Sequence, residues 1–211
     1  MKKYLYLLLA AAILLPNVSY AAPLKTLKPK GFARDLKVTL TYDAGQFQTS
    51  EFGITSYIPF HHMFPLAHEG QSHADNQVVE ITRLYLKPSI YKGTNLESAI
   101  FLLSADFAIT SADECYDAST TEKQISLTKK RKVMGNSWHY TSPHPGGGAA
   151  AGHSSYTELY RLFKNNTCYE VVLGTSDFNR SGLDNPNSIK EYNFKKVMSR
   201  LGAVFNRLQI K

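Results

Sequence analysis

Residues 156–163 and 168–173 are two strand-like runs rich in Tyr, Val and Leu, and only the polar residues 164–167 separate them. A connection that short forces the runs to lie side by side and antiparallel. This is the clearest hairpin in the chain, and any fold must extend the sheet that it starts. Elsewhere Leu36, Val38, Leu40 and Tyr42 alternate with Lys37, Thr39 and Thr41, the period of a half-buried strand. Residues 52–58, ended by Pro59, and residues 77–86, ended near Pro88, are two further candidate strands. Residues 96–109 admit two readings. Thr94 with Glu97 resembles a helix capping box, whereas Ala99, Phe101, Leu103, Ala105 and Phe107 alternate cleanly. A buried strand satisfies the second pattern and is the reading adopted. The pair Gly135-Asn136 marks a turn between two short strands flanked by Val133 and Tyr140.

The period changes at the C-terminus. Phe194, Val197, Met198, Leu201, Val204, Phe205 and Leu208 recur at steps of three and four, which is the apolar stripe of a helix. Asn187 or Ser188 is the expected N-cap. A single helix after a run of strands buries its stripe by packing across the sheet. The expected fold is therefore α+β: a twisted antiparallel sheet of six to eight strands with a long C-terminal helix on one face.

The first residues read as a secretory signal. Lys2 and Lys3 precede an uncharged run over residues 4–15, Pro16 breaks it, and Ser19-Tyr20-Ala21 supplies the small residues of a cleavage site. A membrane-spanning helix needs about 20 apolar residues, and this run is shorter. No second apolar run is long enough to span. The organisation expected is a signal peptide over 1–21, a flexible leader over 22–31 that carries Pro23 and Pro29, and one α+β domain over 32–211. The mature chain is then periplasmic or secreted.

In an oxidising compartment the two cysteines, Cys115 and Cys168, read first as a disulfide. The formal net charge of +7 eases contact with anionic surfaces, so the expected partner is such a surface or another exported protein. The basic residues are dispersed except at Lys129-Lys130-Arg131-Lys132, and nucleic acid is not the expected partner.

The residues Ala149-Ala150-Ala151-Gly152, Ser155-Tyr156, Tyr160-Arg161 and Cys168-Tyr169-Glu170, followed by the terminal helix, resemble a pattern in a group of small exported bacterial proteins. Gly93-Thr94-Asn95-Leu96 and Cys115 fit the same pattern. The resemblance implies that the cysteines are a structural pair. The order of strands and closing helix is also similar to the PsbP-like sandwich. That similarity is one of topology; it implies a binding or assembly module and carries over no catalytic residue.

The sharpest chemical feature is a histidine loop. His61, His62, His68 and His73 lie close together with Glu69 and Asp75 among them. Mixed His and carboxylate sets bind zinc or copper, so these four histidines are candidate ligands of a Zn or Cu cofactor, and a metal-dependent enzyme is the alternative function. Their spacing matches no metal signature. Trp138, His139 and Tyr140, beside the basic run, are candidate binding residues through stacking, with His153 beyond the Gly/Ala stretch. Half-buried packing is the competing reading for these aromatics. His139, His144 and His153 with Cys168, Ser154 or Ser155 hold the ingredients of a nucleophile and base, yet no G-x-S-x-G elbow surrounds either serine. Gly146-Gly147-Gly148 lacks the Lys-Ser/Thr ending of a phosphate loop. The primary expectation is an exported, non-enzymatic binding or interaction module with no assigned catalytic residue.

Overall fold

A computed structural model describes residues 23–28, 36–49, 78–117, 127–141, 144–146, 152–180 and 184–211, with the backbone alone at 78, 79 and 144–146. Strands dominate it. They are β1 (Leu24–Leu27), β2 (Val38–Asp43), β3 (Phe47–Thr49), β4 (Val78–Leu86), β5 (Leu96–Asp106), β6 (Lys129–Val133), β7 (Asn136–Tyr140), β8 (His144–Gly146), β9 (His153–Lys164), β10 (Thr167–Phe178) and β11 (Gln209–Ile210). Among the described residues two α-helices accompany them, α1 (Ala112–Tyr116) and α2 (Phe194–Phe205). The architecture is α+β, mostly antiparallel sheet.

Among the described residues the larger sheet has eight strands in the order β3-β4-β5-β10-β9-β7-β6, with β8 added to β9. A smaller sheet runs β1-β2-β11. The hairpin read first in the sequence lies near the middle of the larger sheet. Its two-residue turn is Asn165-Asn166, both at positive φ (52° and 55°), and Thr167 pairs with Lys164. Asparagine tolerates this left-handed region better than other side chains do. The β6–β7 turn is displaced by one residue from the expected Gly135-Asn136: Val133 pairs with Asn136, so Met134 and Gly135 form the turn. Both have positive φ, 47° and 82°.

Strand β5 pairs with β10 on one side and β4 on the other, and nearly all of its residues are buried. The alternating set Ala99, Phe101, Leu103 and Ala105 faces the main core. The intervening Ile100, Leu102, Ser104 and Asp106 are buried as well, so both faces of this strand are covered. On β4 a register shift between Glu80 and Thr82 changes which face even-numbered residues occupy. Glu80 sits opposite Ser104, while Leu84 sits opposite Phe101 and joins the core. A bulge of this kind inserts one extra residue and inverts the alternation beyond it.

The main core gathers Val38, Leu40 and Tyr42 from β2, Trp138 from β7, Tyr160 from β9 and Val171 from β10, among others. Val197, Leu201, Val204 and Phe205 of α2 belong to the same cluster. Phe205 meets Trp138 edge-on at 5.1 Å between ring centres. Two expectations, one at each end of the described chain, need correction. The helix is 12 residues long and starts after Asn193, whose side chain accepts from the Lys196 amide; Asn187 and Ser188 lie instead in a separate turn of 3-10 helix, Pro186–Ser188. Within the expected flexible leader, Leu24–Leu27 pairs with β2 over four residues. Phe47–Thr49 pairs with β4, and the 52–58 candidate lies outside the described residues.

Candidate functional site

Glu80, Ser104, Glu170, Arg161 and His139 stand opposite one another in register across β4, β5, β10, β9 and β7. Residues directly opposite share a face of the sheet. This polar row therefore crosses the face away from the main core. Small apolar clusters flank it: Leu102, Leu127, Leu159 and Val172 on one side, and Ile109, Cys115 and Cys168 on the other.

Arg161 is the centre of the row. Its guanidinium Nε donates to Glu170 Oε2 at 2.8 Å, with both side chains almost wholly buried. One terminal nitrogen donates to the backbone oxygens of Cys115 and Asp117, each at 3.3 Å. The arginine thereby ties α1 to the sheet from within. Two residues along β10 from Glu170, Cys168 forms a disulfide with Cys115, whose Cα lies 5.5 Å away. The same short helix is thus held covalently and by a buried ion pair. Tyr116 adds a third hold by stacking on His139 at 3.7 Å.

Burial pushes the Glu170 carboxyl above its ordinary value; Arg161 pulls it back, and the nearby Asp106 carboxylate adds to the rise. Burial wins because taking a carboxylate out of water outweighs one charge partner. Asp106 accepts from the Ala108 amide through Oδ1 at 2.8 Å, while its Oδ2 and the Ser104 hydroxyl are buried with no hydrogen-bond partner among the described residues. All of these groups brace the fold.

A second polar cluster lies at the other end of β10. His153 Nδ1 lies 2.9 Å from Glu97 Oε2, and the Ser176 hydroxyl donates to the same oxygen at 2.9 Å. Asp177 and Thr175 meet the Tyr192 hydroxyl at 3.3 Å each. Burial raises the Asp177 carboxyl, opposed by the Tyr192 hydrogen bond. The composition is that of a hydrolytic triad, but the connectivity is not. Activation of a serine needs its hydroxyl bonded to the imidazole. Here Ser176 and His153 both address the carboxylate.

The residues singled out from the sequence do not converge. Trp138 is fully buried against Phe205. His139 points to the opposite face, stacked on Tyr116, with Nδ1 3.1 Å from the Leu127 oxygen. Tyr140 is half-buried and stacks on Tyr160 at 5.2 Å. His153 belongs to the distant Glu97 cluster. Cys168 is consumed in the disulfide and is no nucleophile. His61, His62, His68 and His73 lie outside the described residues, and among the described residues no three His, Cys, Asp or Glu side chains form a metal-binding group.

Arg161 and Glu170 were missed as a pair. Their signal was present: each is a charge flanked on both sides by apolar or aromatic residues, and they are equidistant from the Asn165-Asn166 turn. A two-residue hairpin places equidistant residues opposite each other. The chain matches no protein-family model, and no curated protein sequence matches it significantly.

Proposed function

We propose that the mature chain is an exported, non-enzymatic binding or interaction module that meets its ligand or partner on the surfaces around a disulfide-braced sheet. The observation that carries this reading is the Cys115–Cys168 bond, buried at both ends. Disulfides persist in oxidising compartments, and the residues at 1–21 have the pattern of a signal that delivers a chain there. No helix among the described residues is long and apolar enough to cross a membrane. The excess of basic residues favours an anionic surface or an exported protein as the partner.

The reading includes a PsbP-like sandwich, with the C-terminal helix closing one face of the larger sheet. Its support is the shared core of Val197, Leu201, Val204 and Phe205 with β5 and β10 residues. Fractionation of the native host tests the whole proposal. The expected result is a mature chain that starts at Ala22, recovered outside the cytosol and without free thiols. Recovery from the cytosol with residues 1–21 attached would overturn it. Turnover of a generic ester, peptide or glycoside substrate would overturn the non-enzymatic part alone.

A further inference from the structure

A groove of about 370 Å³ opens between α2 and the β2–β3 turn. Its apolar wall is Leu24, Phe47, Ala203 and Val204; Leu24 is 56% exposed although it belongs to a strand. Arg200 and Arg207 flank this wall. Neither guanidinium has a hydrogen bond or ion pair with a described residue.

Asp43, the acid of the groove, forms no ion pair with either arginine among the described residues. Asp43 accepts from the Gly45 amide through Oδ1 at 2.8 Å and from Gln46 Nε2 through Oδ2 at 2.6 Å. That second bond also orients the Gln46 amide, because a carboxylate accepts only from the nitrogen. Gln46 Oε1 is left buried, with no partner among the described residues. The groove therefore brings two arginines without an ion-pair partner among the described residues to one apolar wall, with Asp43 the single carboxylate in its lining. Its volume suits a small molecule.

The geometry points to a binding site for an anionic amphiphile: a carboxylate or phosphate held by Arg200 and Arg207, and a short apolar chain along Leu24, Phe47 and Val204. The site deepens the binding-module reading and rests on it. Arginine suits this role because its planar fork pairs with both oxygens of such a head group.

Titration calorimetry on the mature, oxidised protein tests the site with dodecanoate and dodecyl phosphate as probes. Both bind, whereas dodecanol, acetate and inorganic phosphate bind at least tenfold more weakly. Arg200→Gln and Arg207→Gln each weaken dodecanoate roughly tenfold or more, the loss of one charge-assisted contact. Ala203→Trp, which fills the groove, abolishes binding while the unfolding temperature is retained. Lys195→Gln with Lys196→Gln, on the exposed side of α2, leaves affinity unchanged. An equal loss in that control would reveal diffuse attraction and overturn the site. So would absence of binding by either probe, acetate matching dodecanoate, binding to phosphatidylglycerol vesicles alone, or self-association that the arginine variants abolish. Each of these failures leaves the export and module reading standing, since that reading is decided by location and turnover.

Discussion

Arg161 carries five N–H donors, and three of the acceptors around it are the Glu170 carboxylate and the oxygens of Cys115 and Asp117. Substituting it removes the neighbour among the described residues that lowers the Glu170 carboxyl, and leaves a buried acid without its charge partner. Arg161→Met is expected to lower stability by about 3–5 kcal/mol, as for other buried pairs broken from one side, and urea unfolding measures it. Glu170 gives a second prediction. Its carboxyl is raised in the folded chain, so the folded state holds the proton more tightly than the unfolded state does. Stability from this group is fullest at low pH and falls as pH climbs above the ordinary glutamate range. The advantage of the wild type over Glu170→Gln should therefore shrink as pH rises through that window. An advantage that grows instead would mean that Arg161 outweighs burial.

At the scale of single elements, turn chemistry decides most of what was legible. The β9–β10 hairpin could be read because apolar runs and polar turn residues agree, and two asparagines tolerate the positive φ that the tight turn demands. The β6–β7 turn was read one residue late because Met134 does not announce a left-handed position. Met134 is half-exposed there, and its side chain adds little that would offset the backbone cost. Met134→Asn is expected to raise stability by about 1 kcal/mol, visible as a higher thermal midpoint. Strand β1 was hidden because Pro23 and Pro29 bracket it and Lys25 interrupts its apolar residues; backbone pairing to β2 holds it, and no side-chain pattern reports that. The helix start was misplaced because Asn187 and Ser188 are as competent to cap as Asn193, and Pro186 diverts them into a 3-10 turn.

Over the whole molecule, the disulfide and the buried ion pair act on one short helix from two sides. The bridge spans 53 residues of chain. Replacing both cysteines by alanine is expected to cost about 4 kcal/mol by the loss of that constraint on the unfolded chain, read as a lower urea midpoint. The pairing of Cys115 with Cys168 was legible from composition alone, since two cysteines leave one possibility. The groove was not, because Leu24, Gln46 and Arg207 come together only through the β1-β2-β11 sheet and α2, elements far apart in sequence. The same wiring sets an order of events. β2 is made before its neighbour β11, with the described strands of the larger sheet in between, and β5 must wait for β10. A polypeptide threaded out from its N-terminus therefore leaves β5 without its β10 partner until β6 to β9 have followed. During that interval the apolar β5 is open to stray association, and a holding factor or rapid delivery of the tail would decide the yield of native protein.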